Sequence, residues 1–460
     1  MDTDLRERLD DFVTQTMERL QVPGVALGVT DHDDEYTAAF GITSVDNPLP
    51  VTTSTLFQIG STSKTFTATL LMELVERGEV DLEAPVRKYL PGFALGSEED
   101  AAKARVLDCV SHVGGWVGDY FRDTGRGDDA LQKFVERMAR LPQLTPCGEV
   151  FSYNNAAFAV AGRIIEVVTG EPFETAMLSL LLQPLGLKHT YYSQDDLLTY
   201  RVASGHIVMP DGPKVARPWP LSLSSSPAGG LVADVHDQLA YARFHMGDGT
   251  APDGTQILAR ATLDRMKQPV HEAGSMCDEV GISWLLRDVG GVRLVEHGGA
   301  TNGQMAAFTT IPDRQFALTI LTNANRGSEL HSLVKQWILA NVAGVVAAPR
   351  PAIELPAERL AEYAGSYGNP EGHTDLRLED GRLTLQTISG PGALSDGALV
   401  PPPFDPVLVE FYAEDRVIVM APPYGGARGE FLRDANGHLA WFRWGGRINP
   451  PLRDKVPADG

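Results

Sequence analysis

The first residues in this sequence whose types and spacing can do chemistry are a serine that opens an apparent helix and a lysine three positions later, Ser61-Thr62-Ser63-Lys64. Positions i and i+3 share a helix face, so the Lys64 amine can sit beside the Ser61 hydroxyl. A serine hydroxyl needs a neighbouring base to become a nucleophile, and a lysine desolvated in a pocket can have its pKa lowered enough to serve. The plainer reading of this pair alone is a serine N-cap followed by a solvated lysine. The rest of the chain has to decide.

Two further motifs bear on it. Phe151-Ser152-Tyr153-Asn154-Asn155 precedes a helical pattern that starts near Ala156. A tyrosine can act as acid or base when a neighbouring cation stabilises its phenolate, and Asn155, two residues on, could point a carboxamide into the same cleft. Val295-Glu296-His297-Gly298-Gly299-Ala300-Thr301-Asn302 ends a strand-like run. Glycines there let a substrate lie against the strand backbone, and a backbone N–H can donate to a developing oxyanion. Each motif by itself is more often structural.

Taken in order, Ser61-x-x-Lys64, Tyr153-x-Asn155 and His297-x-Gly299 resemble the three signature motifs of the serine β-lactamase and penicillin-binding-protein superfamily. Tyrosine in the second motif is similar to the class C branch, whose relatives include esterases, D-aminopeptidases and related amidases. The likeness spans about residues 5–345. It implies an α/β fold with an antiparallel sheet flanked by helices and an inserted, mostly helical domain. It further implies that Ser61 is the acylated nucleophile and that Lys64, working with Tyr153, accepts its proton. Asn155 would hydrogen-bond Lys64 or the substrate amide, and the N–H groups of Ser61 and Ala300 would form the oxyanion hole. Gly298, Gly299 and Asn302 would contact substrate. His297 stands where many β-lactamases and transpeptidases carry the lysine of Lys-Thr-Gly. A histidine is mostly neutral at pH 7 and supplies no permanent cation for a substrate carboxylate. The expected activity is therefore that of an esterase, amidase or D-aminopeptidase-like enzyme with weak or no β-lactamase activity. Two alternatives stand beside it: an acyltransferase or peptide cyclase using the same residues, and a non-catalytic peptide-binding sensor.

The elements that must position these residues follow from periodicity. Residues 4–20 carry apolar positions at a 3.6-residue spacing, and two short strands follow at 24–30 and 36–42. Strands return at 281–286, 292–296, 304–311 and 316–322, before a helix at about 328–342. The first and last segments thus build one sheet, with a helical region at about 80–270 between them. Leu131–Leu141 and Ala156–Thr169 read as helices in that region. The loop from Ser111 to Phe121 interleaves three glycines with aromatic residues, and Trp116 and Tyr120 are candidates for a substrate wall or for a packed Ω-loop. A proline-punctuated linker at 347–354 separates a catalytic domain at 1–346 from a β-rich tail at 355–460. In the tail, Asp380-Gly381 and Asn436-Gly437 mark hairpin turns, and a closed or nearly closed barrel is expected. That tail resembles the lipocalin-like barrels appended to some of the superfamily's peptidases and esterases.

Composition narrows the partners. The formal charge of −21, from 60 acidic and 39 basic residues, argues against a nucleic-acid surface. No apolar run approaches the roughly 20 residues needed to span a bilayer, and residues 1–10 lack the basic and apolar regions of a signal peptide. Cys109, Cys147 and Cys277 read as reduced thiols, so a cytoplasmic protein is expected. The eleven histidines are scattered, and His206, His236 and His245 read as surface or satisfied core residues rather than metal ligands. Tyr424-Gly425-Gly426 lacks the Lys-Ser or Lys-Thr of a phosphate loop and reads as a turn. The expectation is no cofactor, no metal, a small-molecule or peptide substrate, and room for a homo-oligomer.

Overall fold

The computed structural model describes residues 1–192, 194–219, 221–369, 372–389, 399–400, 403–422 and 424–452. The chain divides into one unit of Met1–Glu272 with Glu279–Ala347 and a second of Ala273–Asp278 with Ala348–Gly460. Five helices of the first unit carry the argument: α1 (Thr3–Leu20), α2 (Ser63–Glu76), α3 (Asn155–Thr169), α4 (Val235–Met246) and α5 (Gly327–Asn341). The Asp2 carboxylate accepts the Leu5 N–H at 2.8 Å and caps α1, which ends at Gln21 in a left-handed conformation. Leu9, Val13, Met17 and Leu20 form its buried stripe.

Eight antiparallel strands make the central sheet: β1 (Gly24–Asp31), β2 (Asp34–Gly41), β3 (His271–Glu272), β4 (Glu279–Val280), β5 (Leu285–Val289), β6 (Val292–Ala300), β7 (Met305–Ile311) and β8 (Phe316–Thr322). Their order is β2-β1-β8-β7-β6-β5-β4-β3. The N-terminal hairpin therefore joins the C-terminal meander through β1 and β8, in the register Val25 opposite Thr322. Side chains alternate faces along β1. Val25, Leu27 and Val29 pack in one core with residues of α1 and α5. Ala26 faces the other core, built from α2, α3 and α4, where Phe66 and Tyr241 stack at 3.7 Å. The site-bearing helix is thus packed on the sheet from within.

The expected strand at 281–286 is displaced to Leu285–Val289. Ser283 adopts a φ of 68° and donates its N–H to Val110 O at 2.6 Å, which breaks the extended path just before β5. The helix expected at 131–141 runs over Ala130–Arg137 and tightens into a 3₁₀ turn, Met138–Arg140. Among the described residues no helix is long and apolar enough to cross a membrane.

In the second unit eight strands follow one another around a barrel: β9 (Gly365–Asn369), β10 (Gly372–Glu379), β11 (Arg382–Ser389), β12 (Val407–Ala413), β13 (Arg416–Val419), β14 (Arg428–Arg433), β15 (Leu439–Trp444) and β16 (Arg447–Asn449). The Gly368 N–H to Pro450 O bond (3.1 Å) and the Leu452 N–H to Ser366 O bond (2.8 Å) bring the last segment back to β9 and nearly close it. Asp380 and Gly381 both have positive φ, as the two-residue Asp-Gly turn requires. The Asn-Gly turn is longer than the dipeptide suggested: Asp434 Oδ1 accepts the N–H groups of Asn436 and His438, and Gly437 alone takes positive φ. Tyr363, Leu376, Leu385, Phe411, Val417, Phe431 and Phe442 cluster in the barrel's core, with Phe431 and Phe442 stacked at 4.6 Å. Within this unit the 273–278 segment is held by Arg443 on Ala273 O (2.9 Å) and Arg428 on Asp278 (2.7 Å).

His331 of α5 is buried with Nε2 3.1 Å from Thr322 Oγ1, and burial with the nearby Lys335 charge holds its pKa down to about 3. An unfolded histidine titrates near pH 6.5. Between those values the unfolded chain binds a proton that the folded chain does not. His331 therefore removes stability as pH falls below ~6.5, by up to about 1.4 kcal/mol per pH unit. The thermal midpoint of His331→Gln is expected to decline less steeply than that of the wild type between about pH 6.5 and 4.5. Equal slopes in the two scans would contradict a neutral buried His331.

Candidate active site

Ser61 sits in a 3₁₀ turn, Gly60–Thr62, that runs directly into α2. Neither the turn nor α2 has a side-chain cap, so Ser61 is not an N-cap. Its Oγ instead accepts from Lys64 Nζ at 3.0 Å, the pairing that the three-residue spacing anticipates. Ser63 staples the turn: its Oγ donates to Gly60 O at 2.7 Å and accepts the Leu231 N–H at 3.1 Å. Lys64 is fully buried. A buried ammonium needs hydrogen-bond partners to offset its desolvation. Besides Ser61, Nζ donates to Ala228 O at 2.5 Å, and it lies 5.2 Å from the Tyr153 ring centre and 5.4 Å from that of Phe158. Ala228 was not foreseen. Its only trace in the sequence is the tight Ser226-Pro227-Ala228-Gly229-Gly230 run, which forms the short helix Ser226–Gly229.

Tyr153 precedes α3, whose N-cap Asn154 accepts the Ala157 N–H at 2.9 Å. The His112 ring stacks on Tyr153 at 4.2 Å, and its Nδ1 accepts the Asn154 N–H at 3.0 Å. His112 lies inside the glycine-aromatic loop, and its positive φ of 60° cannot be read from residue type. Trp116, a candidate substrate wall, is completely buried and packs edge-on against Phe93 at 6.1 Å. It is a core residue that anchors the loop from beneath. Tyr120 is half-buried against Phe134 at 5.2 Å, with the Arg122 guanidinium over its ring. Asn155 was expected to reach Lys64 or substrate; its Nδ2 donates to Asp119 Oδ1 at 2.6 Å.

The third motif lies on β6. The pairing of β5 with β6 ends at Leu285 opposite Glu296, so among the described residues no strand pairs with 297–300 on that side. Gly298 and Ala300 are exposed there. The strand also runs against the Ser61 turn. A Cβ on Gly299 would lie 1.8 Å from Ile59 O and 3.0 Å from Ser61 N, and one on Gly60, whose φ is 50°, would lie 2.7 Å from Ala300 N. Two glycines thus let the backbones carrying the Ser61 and Ala300 amides come together. Asn302, in the connection between β6 and β7, donates Nδ2 to Pro218 O at 3.1 Å.

His297 is buried, and its Nδ1 is 2.7 Å from Gly298 O. A carbonyl only accepts, so the proton is on Nδ1 and Nε2 carries the lone pair. Burial, with the Lys64 charge nearby, pushes its pKa down to about 3. The ring is therefore neutral throughout the working pH range. The other histidines weighed as ligands are occupied structurally: His206 bonds Asn323 O at 2.7 Å and the Val45 N–H at 3.1 Å, His245 lies 3.0 Å from Thr69 Oγ1, and His236 is 3.7 Å from Glu35.

Because a methyl on Gly299 has nowhere to go, Gly299→Ala is expected to force β6 away from the Ser61 turn. Labelling of Ser61 by a fluorophosphonate should slow by about 10² or more, the scale of a lost oxyanion donor, while circular dichroism stays unchanged. Undiminished labelling would show that the strand does not serve the serine.

Known proteins resemble this chain over most of its length. The family described as Beta-lactamase matches residues 9–341. Penicillin-binding protein 4 of Amycolatopsis lactamdurans is 36% identical over 379 residues, covering 80% of this chain and 97% of that one. Among solved structures, SurE is similar with a TM-score of 0.76 and 26% identity over 98% of this chain and 99% of its own, and SurE with D-Leu gives 0.75 at the same identity. A D-amino acid amidase from Ochrobactrum anthropi matches with a TM-score of 0.61 and 25% identity over 73% of this chain and 99% of that one. The second unit, a nearly closed eight-stranded barrel, fits a lipocalin-like domain. With most of its length matched, this chain belongs to the beta-lactamase family, the serine-hydrolase superfamily that also holds the penicillin-binding proteins.

Proposed function

We propose that the protein forms a covalent acyl-enzyme at Ser61 and cleaves small esters or amides, including those whose acyl group is a D-amino acid. The observation that carries this reading is the 3.0 Å bond between Lys64 Nζ and Ser61 Oγ, made beside a strand that meets the same turn main chain to main chain. Lys64, as its neutral amine and with Tyr153 against it, takes the Ser61 proton as Oγ attacks the carbonyl and becomes the ammonium. The N–H groups of Ser61 and Ala300 receive the developing oxyanion. The proton returns to the departing alcohol or amine, and water releases the acyl group. Substrate lies along the unpaired edge at 297–300, where Gly298 leaves room for a backbone. Support for D-residues comes from the likeness to SurE, solved with D-Leu, and to a D-amino acid amidase.

His297 restricts the substrate further. Its neutral ring offers a substrate carboxylate no cation, whereas the corresponding lysine of many β-lactamases does. Carboxylate-bearing β-lactams are therefore poor substrates on this reading.

A second reading, acyl transfer to an amine, is favoured by one observation. A cleft of about 650 Å³ borders Ser226 and Gly230, on either side of the Ala228 that binds Lys64, and its lining sets Asp123, Asp128, Glu174 and Asp195 against Arg126. An acidic cleft suits an ammonium-bearing acyl acceptor. Supplying a peptidyl thioester separates the readings: hydrolysed product supports the first, and cyclised product the second.

The substrate class is tested with p-nitrophenyl esters, D- and L-amino acid amides and nitrocefin. Esters or D-amides should turn over, nitrocefin poorly, and Ser61→Ala or Lys64→Ala should lose about 10⁴-fold or more, since nucleophile and base act as a unit. Retained turnover in Ser61→Ala would reject the mechanism. His297→Lys is expected to raise kcat/KM for nitrocefin by about tenfold, the scale of one charge-assisted bond. No gain would show that carboxylate recognition is set elsewhere.

A further inference from the structure

Two carboxamides, one near each end of the serine–strand contact, hold the same short segment of backbone. Asn302, two residues beyond Ala300, donates Nδ2 to Pro218 O at 3.1 Å, and Gln58, three residues before Ser61, donates Nε2 to Trp219 O at 2.6 Å. The Trp219 indole N–H is spent on Ala203 O at 3.1 Å. Trp219 is thereby fixed, at its backbone and at its ring, relative to the Ser61 turn and the end of β6.

Trp219 lines two cavities at once. One is the acidic cleft, which it shares with Gln58; the other is a pocket of about 480 Å³ that it lines together with Leu49, Leu197, Leu198 and Tyr200. Among the described residues Arg201 is the one charged side chain lining that pocket, and its Nη1 donates to Pro50 O at 2.8 Å. Leu198 is 82% exposed, Leu49 45% and Tyr200 39%. A single exposed leucine is ordinary, but three large apolar side chains around one pocket that adjoins the cleft beside Ser61 mark a contact surface.

Strand direction says which part of a substrate reaches it. β6 runs antiparallel to both of the strands it pairs with, and its edge at 297–300 is free on the β5 side. A peptide laid on that edge in the same antiparallel sense has its N-terminal residues at the Ala300 end, where Asn302 holds the Pro218-Trp219 segment. Residues upstream of the reacting carbonyl belong to the acyl group.

We propose that the pocket beside Trp219 is a remote acyl subsite, which takes an apolar side chain of a peptide several residues upstream of the reacting carbonyl. This rests on the acyl-enzyme reading at Ser61 and narrows its substrate to peptidyl esters or amides that carry such a residue. An extended chain advances about 3.4 Å per residue, so a few residues lead from Ser61 past Gln58 to Trp219.

The test uses p-nitrophenyl esters on the full chain: that of N-acetyl-D-alanine, and those of N-acetylated hexapeptides that end in D-alanine and are otherwise glycine, with one leucine moved from the second to the fifth residue upstream. At one position, or two adjoining ones, leucine is expected to raise kcat/KM about tenfold over the all-glycine parent, the scale of burying most of its side chain. In Leu198→Asp that gain should shrink to about twofold or less, while the N-acetyl-D-alanine ester turns over at the wild-type rate. Should Leu198→Asp lose its thermal transition, Leu49→Asp carries the same comparison. No gain at any position, or a gain undiminished in the variants, would overturn the proposal. Absence of a fluorophosphonate label on wild-type Ser61 would instead strike the acyl-enzyme reading itself.

Discussion

The site depends on a close backbone approach. Gly60 and Gly299 face each other's chains at separations that leave no space for a methyl group, so the Ser61 turn and β6 meet main chain to main chain. A bulkier residue at either place would separate the serine from the strand edge. The central sheet exists in turn to hold β6 there. β7 and β8 carry its register to β1, and helices on both faces bury the sheet.

Charge is distributed sparingly around that contact. Lys64 is a buried basic group whose Nζ bonds Ser61 Oγ and Ala228 O. The groups near it are neutral or accepting. His297 carries its proton on the Nδ1 that faces Gly298 O, and the Asn155 carboxamide is held by a carboxylate. On the proposed reading, such a site is ill suited to a substrate that brings a carboxylate beside the reacting carbonyl.

What could be read from the chain, and what could not, follows from the range of the interaction. The Ser61–Lys64 pairing is local, since three residues on one helix face are enough to place it, and the resemblance rested on such short motifs. Binary patterning likewise placed α1, α5 and the strands from Val292 to Thr322, because two buried faces leave a clear apolar record. Misplacements arose where distant chain intervened. The sequence left Trp116 between a substrate wall and a packed loop, which its contact with Phe93 decides for packing, and Ser283 leaves the strand path because its N–H is taken by Val110. Asp119, His112 and Ala228 act on the motif residues across separations of 36, 41 and 164 positions, which no periodicity records. The six residues 273–278 show the same limit, for nothing in their composition marks them as part of the second unit.

That Ser61 is the atom acylated is tested most directly by intact-mass measurement and peptide mapping after treatment with a fluorophosphonate. A single adduct on the peptide carrying Ser61 is predicted, forming far more slowly when Lys64 is alanine. An adduct on another residue, or none on correctly folded protein, would contradict it.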